Sequence, residues 1–316
     1  MKKLKLLLFT YLMSLPLFSY AEKGNEFFAD PYISKEFPAQ GVKVLDVQSS
    51  GSSIAVSSWN DDKVFVQVFT HKNGKQADPQ DQDIQERLKD YDIEVNKSGE
   101  KVLVSIKSKS KNNWNMGKNN ISFSIQVQVP EEMSTSFNSS GGSISLQGVE
   151  GNHDIRSSGG SIRISDCEGS LTAKSSGGSF SISNFDGSAD LNTSGGSVKV
   201  DNLSGEIAVS SSGGSITLTE ISGKVTASSS GGSIKASLIS LEDELNLKAS
   251  GGSISVTLPQ DEGMDLNIKG GSVSSQLAYF EGVKTRDQII GKINGGGIPV
   301  NLSTSGGSIK VDKFEK

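Results

Sequence analysis

Three acidic residues recur at one position of a repeat and could hold a cation. Glu150, Glu168 and Asp186 are evenly spaced along the sequence, so one coil per interval would stack their carboxylates. Like charges held that close repel one another unless a counter-ion or a lysine lies beside them. Carboxylate oxygens suit calcium, so a bridging divalent cation is one interpretation. The alternative, which we favour, is a solvated acidic edge.

A polar stretch with one tryptophan could bind a sugar. The segment KSKSKNNWNMGKNN, residues 107–120, contains Lys109, Lys111 and Trp114. An indole ring can stack on a sugar ring, and lysines attract an anionic polymer. These three residues are therefore the candidates for ligand contact. The simpler interpretation is a solvated hairpin loop, with Trp114 packed back on the body of the protein.

Residues that usually perform catalysis are few and poorly arranged. The sequence has two histidines, and no serine lies in a G-x-S-x-G motif or has an evident His/Asp partner. His153 and the single cysteine, Cys167, fall where neighbouring repeats carry apolar residues, so both are expected to be buried. The sequence therefore predicts no catalytic residue and no cofactor, and the protein is not expected to be an enzyme.

Residues 1–21, MKKLKLLLFTYLMSLPLFSYA, have the composition of a secretory signal peptide. Lysines precede an apolar run that is too short to span a bilayer, and Ser19 and Ala21 are small residues where signal peptidase cleaves. We expect cleavage after Ala21 and export to the periplasm or the cell surface. The mature chain is expected to have no transmembrane segment.

The charge balance excludes one class of partner. Loss of the three lysines of the signal peptide takes the formal charge from −5 to −8, and residues 131–316 carry 14 basic and 21 acidic residues. Proteins that bind nucleic acid usually carry a basic stripe, so a nucleic-acid partner is not expected. A single cysteine allows no intrachain disulfide, so backbone pairing and an apolar core must stabilise the fold.

The motif GGS recurs with a fixed period, which a flexible linker would lack. After six evenly spaced copies, two more begin at Gly251 and Gly270, and a last one begins at Gly306. A fixed short period is typical of a solenoid. The first glycines of the regular copies, which are evenly spaced, are Gly141, Gly159, Gly177, Gly195, Gly213 and Gly231.

Each repeat unit predicts two short strands. Counted from the first glycine, apolar residues recur at positions 4 and 6, at 9, and at 13 and 15, and glycine at position 11. The predicted fold is all-β, a single-stranded parallel β-helix with coils of about 18 residues stacked about 4.8 Å apart. SSGGSI is then a corner whose glycines either adopt unusual backbone angles or let corners stack without Cβ crowding. Its serines hydrogen-bond locally or along the stack.

Four regions follow along the chain. Residues 1–21 are the signal peptide and 22–130 a less regular β-rich region that caps the solenoid and contains one short helix. Residues 131–277 are the regular GGS repeat. Residues 278–316 are an irregular coil and the final repeat. A solenoid needs covered ends, because an open edge invites edge-to-edge association.

Both flanking regions carry traces of the repeat. In the first, Gly51, Ile54, Val56 and Trp59 have the spacing of positions 1, 4, 6 and 9. The segment after Asp78-Pro79, with apolar residues at 84 and 88, predicts the helix. In the last region, the basic residues Lys310, Lys313 and Lys316 are expected to keep the final edge soluble.

The sequence resembles the DUF4097 family of bacterial adhesin-like proteins. The resemblance rests on the signal peptide, on SSGSSIAV followed by KVFVQV, on QVQVPEE before the tandem SSGGSI units, and on INGGGIPVNLSTSGGSIKV near the end. It covers roughly residues 40–316. It implies a single-stranded, right-handed parallel β-helix and supplies no catalytic residue.

We therefore expect an exported β-helical adhesin without enzymatic activity. Its repetitive surface would contact a glycan or another cell-envelope polymer, or another envelope protein. A periplasmic scaffold or envelope-stress factor is the main alternative. A polysaccharide lyase or hydrolase is the enzymatic alternative, because long β-helices often carry such sites; Arg163, Asp166 and Glu168 are the nearest cluster of suitable residues.

Overall fold

The computed structural model describes residues 30–109, 121–259 and 261–313. The predicted signal peptide lies outside these residues. Within them the chain is all-β, with one mixed sheet and one short helix. No helix in the described ranges has the length and apolar composition needed to cross a bilayer.

The elements divide into three consecutive groups. The N-terminal group is β1 (Ile33–Pro38), β2 (Val44–Ser49), β3 (Ser53–Ser58), β4 (Lys63–Lys72), β5 (Lys75–Gln76), α1 (Gln82–Leu88), β6 (Tyr91–Ser98), β7 (Lys101–Ser108), β8 (Ile121–Val129) and β9 (Ser134–Ser139). The regular group is β10 (Ile144–Gln147), β11 (Glu150–Ser157), β12 (Ile162–Ser175), β13 (Phe180–Thr193), β14 (Val198–Ser211), β15 (Ile216–Ser229) and β16 (Ile234–Ala249). The C-terminal group is β17 (Ile254–Leu258), β18 (Met264–Lys269), β19 (Ser272–Ser275), β20 (Phe280–Lys284), β21 (Gln288–Ile293), β22 (Ile298–Thr304) and β23 (Ser308–Lys313).

Successive repeats pair in parallel at a constant shift of one repeat unit. Ile162 of β12 lies opposite Phe180 of β13, which lies opposite Val198 of β14. Each position of the repeat therefore becomes a column of equivalent side chains. From β12 to β15, all side chains at positions 4, 6, 9, 13 and 15 are between 0 and 3% exposed, which confirms the predicted inward columns.

Each long strand bends at two positions that turn the chain round the core. At position 8, Asp166, Asn184, Asn202 and Glu220 have φ between 51° and 58°. At position 11, the four glycines of the same strands have φ between 112° and 125°. Asp and Asn tolerate the left-handed region because their short polar side chains hydrogen-bond locally.

The two glycines of the GGS corner have different roles. A Cβ on Gly196, at position 2, would lie less than 3.0 Å from the carbonyl oxygen of Gly178 one repeat earlier. A Cβ on Gly195, at position 1, would approach no other residue more closely than 3.6 Å. Gly196 does not have a positive φ. Close stacking of adjacent corners, and not an unusual backbone angle, therefore requires glycine at this position.

The first serine of SSGGSI is buried and satisfies the backbone of the corner. Ser229 Oγ accepts a hydrogen bond from the amide of Gly232 at 2.9 Å and donates one to the carbonyl of Gly214 at 3.2 Å. Thr193 makes the same two kinds of bond in an earlier repeat. A hydroxyl at this position pairs buried backbone groups that would otherwise lack partners.

The chain folds back at both ends of the stack. At the N-terminal end, β2 lies between β7 and β9, and β3 lies between β8 and β10, all in parallel. At the C-terminal end, β22 lies between β16 and β18, and β23 lies between β17 and β19. The outermost repeat-like segments of the sequence are therefore covered by further coils.

This arrangement corrects one expectation for the C-terminus. β23 is an interior strand, so the prediction that lysines keep it soluble as the final edge is wrong. Lys310 instead pairs with Asp312 at 2.6 Å. β23 lies between β17, whose Val256 faces Val311, and β19, whose Ser275 faces Val311 from the other side.

Antiparallel strands complete both ends, so the sheet is mixed. β4 pairs with β1 and β8, and β6 pairs with β7. At the other end β21 pairs with β18 and β20. The prediction of an all-β repeat solenoid is confirmed, whereas an entirely parallel sheet is not found.

The first repeat-like segment follows its predicted positions only in part. Ile54 lies opposite Ile144 as predicted. Trp59, at the spacing of position 9, is only half-buried, whereas Val149 in the next repeat is buried. Its indole Nε1 donates a hydrogen bond to the carbonyl of Lys63 at 2.8 Å, and its ring stacks on Phe65 with centroids 6.0 Å apart.

The predicted helix is present as α1. It begins after Asp81, whose Oδ1 accepts a hydrogen bond from the amide of Asp83 at 2.8 Å. Such a cap satisfies one of the amides that the first turn of a helix leaves unpaired. Ile84 and Leu88 are buried and join the core.

Candidate functional site

The predicted acidic row forms along the stack. Glu150 lies opposite Glu168, and Glu168 lies opposite Asp186. Glu132, which sequence reasoning missed, lies opposite Glu150; its signal is that it precedes Glu150 by the same interval. All four side chains are exposed, and within the described part of the chain no three His, Cys, Asp or Glu residues are placed to hold a metal ion. The row is a solvated acidic edge of a shallow groove.

A ladder of side-chain hydrogen bonds runs beside the acidic row. Asn184 Nδ2 donates to Asp166 Oδ1 at 2.8 Å, and Asn202 Nδ2 donates to Asn184 Oδ1 at 2.9 Å. These are the left-handed residues at position 8. These side chains therefore satisfy one another's polar groups along this edge.

Of the three candidates for ligand contact, the structure describes only Lys109. Lys111 and Trp114 lie outside the described residues. Lys109 Nζ donates a hydrogen bond to the carbonyl of Lys89 at 2.9 Å, just after the end of α1. A cation there satisfies a helix carbonyl and complements the helix dipole. Lys109 therefore stabilises the end of the helix.

His153 is a core residue with both ring nitrogens bound. It is 2% exposed, and its Nε2 donates to the carbonyl of Val149 at 3.3 Å. Because a carbonyl can only accept, Nε2 carries the proton of the neutral ring. Nδ1 therefore accepts a hydrogen bond from the hydroxyl of Thr135 at 3.0 Å. Burial lowers the pKa of His153 below its ordinary value of 6.5, so the ring is neutral at pH 7.

Cys167 is also buried in the core. Its Sγ lies 3.2 Å from the carbonyl of Ser165. Burial raises the pKa of the thiol above its ordinary value of 9.0. A nucleophilic cysteine requires the opposite shift and access to solvent, so Cys167 serves as a small apolar residue.

The buried His153 predicts a loss of stability in mild acid. Its folded pKa lies below the unfolded value, so the unfolded chain binds more protons once the pH falls below about 6.5. In His153→Leu, which carries the side chain of the equivalent Leu171, this component is absent. Urea unfolding from pH 7 to pH 5 should show the free energy of unfolding of the wild type falling relative to that of the variant. If the difference in the free energy of unfolding between the wild type and the variant does not change with pH, the ring is not buried in its neutral form.

The outer surface of the regular repeats carries polar columns in register. At position 5, the side chains of Arg163, Ser181, Lys199 and Thr217 lie opposite one another on successive strands. They are exposed or half-buried, and neighbouring members are about 4.8 Å apart, the spacing of paired strands. The fold therefore presents polar groups at a fixed interval along a stiff support.

A comparison with family models identifies the chain. The model described as Toastrack DUF4097 matches residues 42–312. The chain belongs to the Toastrack DUF4097 family. This confirms the resemblance inferred from SSGGSI and QVQVPEE. Comparison of this Toastrack protein with curated proteins finds no match.

Several solved structures are similar to this Toastrack protein over most of its length. One is a protein named "putative adhesin" from Bacteroides fragilis, with 14% identity and a TM-score of 0.44, covering 89% of this chain and 96% of that one. A "putative cell adhesion protein" from Clostridium sporogenes has 13% identity and a TM-score of 0.22, covering 89% and 98%. A "putative lipid binding protein" from Parabacteroides distasonis has 14% identity and a TM-score of 0.36, covering 90% and 97%.

Proposed function

We propose that this Toastrack protein is an exported, non-enzymatic adhesin. Its periodic outer surface would contact a polymer of the envelope, of an extracellular matrix or of another cell. In this proposal the signal peptide is cleaved after Ala21, and the regular repeats wind as a single-stranded, right-handed parallel β-helix. The N-terminal composition MKKLKLLLF supports export.

The observation that carries the proposal is the register of the outer columns. Polar side chains such as Arg163, Ser181 and Lys199 repeat at the spacing of the strands. A polymer is itself periodic, so many weak contacts can form at once on a support that does not need to be ordered first. Such multivalent binding gives high avidity without a deep pocket.

The placement of the usual catalytic side chains supports a role without catalysis. His153 and Cys167 both lie in the core, with pKa shifts that keep the imidazole neutral and the thiol protonated. The acidic row lies in an open groove that excludes no water. A hydrolase or lyase would instead need an acid and a base held in a walled cleft.

The test is the accessibility of the protein on intact cells. An antibody raised against the folded repeat region and a protease added from outside should both reach the protein without disruption of the outer membrane. A soluble periplasmic protein, followed in the same cells, must stay protected. If the repeat region is also protected until the outer membrane is opened, direct adhesion is contradicted and a periplasmic scaffold takes its place.

A further inference from the structure

The C-terminal fold-back builds a row of three asparagines on the outer face. Because β22 lies between β16 and β18, Asn301 lies opposite Asn246 on one side and opposite Asn267 on the other. The intervals between these residues follow no common period in the sequence. The row exists because the last repeat is inserted into the stack.

The amides of this row are available to a ligand. In contrast to the Asn184–Asn202 ladder, no hydrogen bond joins the side chains of Asn246, Asn267 and Asn301 in the described structure. Asn246 Oδ1 is buried without a hydrogen-bond partner. That atom is out of reach of a ligand, but Asn267 is exposed and Asn301 is half-buried, so a hydroxyl-bearing ligand can bind the amide groups of these two side chains.

A second row, two residues further along each strand, is basic. Lys248 lies opposite Ser303, and Ser303 lies opposite Lys269. Both lysines are exposed, and within the described residues neither forms an ion pair with a carboxylate. With one strand between them, their columns are about 10 Å apart. Two free positive charges at a fixed separation favour a ligand that carries repeated negative charges.

The row of asparagines continues into exposed apolar side chains. Ile290 lies opposite Asn267 on β21, and Val283 lies opposite Ile290 on β20. Ile290 is 50% exposed and Val283 is 65% exposed. These apolar groups lie in line with the amides, with the two lysines on one side, so one ligand can contact all three kinds of group.

We propose that this face, formed by β16, β22, β18 and β21, binds a carboxylated polysaccharide. Carboxylates of the polymer pair with Lys248 and Lys269, its hydroxyls bind the asparagine row, and the apolar face of a sugar ring packs on Ile290. The inference rests on the proposed function, because it names the class of polymer that the outer surface contacts.

The test is the binding of polygalacturonate to the purified protein, measured by isothermal titration calorimetry. The double variant Lys248→Gln/Lys269→Gln should lose about tenfold in affinity, which corresponds to about 1.4 kcal/mol, because it removes two exposed ion pairs. Asn301→Ala should weaken binding about fivefold through lost hydrogen bonds to neutral hydroxyls. Thermal unfolding verifies that each variant is folded.

The chain offers a control with the same charge change outside the repeats. Lys75 on β5 and Lys101 on β7 are exposed, and within the described residues neither forms an ion pair with a carboxylate. Lys75→Gln/Lys101→Gln should bind polygalacturonate within about twofold of the wild type. An equal loss in both double variants would show that net charge alone attracts the polymer, and would overturn the proposal.

Two further outcomes are decisive. If polyglutamate binds as tightly as polygalacturonate, the face does not recognise a sugar. If polygalacturonate does not bind, the proposal that the face binds a carboxylated polysaccharide is overturned. Either result leaves the accessibility test untouched, so a protein reached on intact cells keeps its adhesive function. Conversely, if the protein binds polygalacturonate but stays protected in intact cells, surface adhesion is contradicted and the proposed binding face is not.

Discussion

Ile182→Asp is expected to lower the free energy of unfolding by about 4 kcal/mol or more. Ile182 is 1% exposed at position 6 and lies between Ile164 and Val200 in its column. A carboxylate there has only aliphatic neighbours in its column, so it must be buried uncharged or pull its strand out of the stack. Urea unfolding at pH 7, followed by circular dichroism, measures the loss.

The neighbouring residue supplies the matched control. Ser181 points outward at position 5 and lies between Arg163 and Lys199. An aspartate there has two cationic cross-strand neighbours, so Ser181→Asp should change the free energy of unfolding by less than about 0.5 kcal/mol, in either direction. Equal losses from the two substitutions would contradict the division into inward and outward columns.

The regular part of the fold is predictable because two periods coincide there. Side chains alternate every second residue along a strand, and the units repeat at a constant even interval, so each inward column keeps its apolar character. That is why Phe185 and Leu203 could be placed at position 9 from the sequence. The same arithmetic predicts the acidic row, and would have added Glu132.

The order of the coils at the two ends could not be predicted in this way. β23 shares its apolar alternation with β17, whereas β19 has only Val273 and then Ser275, so the pattern does not predict that β23 lies between these two strands. The pattern specifies which side chains point inward, but it does not specify which strands are neighbours in the sheet. The asparagine row depends on that order, since Asn301 comes between Asn246 and Asn267 only because β22 is inserted.

The corner illustrates a role that residue type alone leaves ambiguous. Glycine at position 2 could serve a backbone angle or a close contact, and only the distance to the previous repeat decides. Serine in SSGGSI looks like a solvated turn residue, yet Ser229 is 4% exposed and its hydroxyl pairs two backbone groups. Both roles depend on contacts between adjacent repeats, and the sequence of one repeat unit does not show these contacts.

Gly196→Ala is accordingly expected to lower the free energy of unfolding by about 3 kcal/mol. The added methyl would lie within 3.0 Å of backbone atoms of Gly178 and Ser179, which cannot rotate away as a side chain could. Relief requires the two corners to separate, and the hydrogen bond from the amide of Phe180 to the carbonyl of Ser197, at 3.0 Å, lies beside that contact. The shift of the urea midpoint measures the loss.

Gly195→Ala tests the explanation, because it adds the same methyl one residue earlier. Gly195 does not have a positive φ, and its Cβ would be no closer than 3.6 Å to another residue, so we expect a change of less than about 0.5 kcal/mol. Equal losses would mean that flexibility of the whole corner matters, and not the stacking of position 2. In a solenoid, stability is carried by the interfaces between neighbouring units. A large effect at Gly196 alone would therefore place the strict requirement for glycine at the interface between repeats.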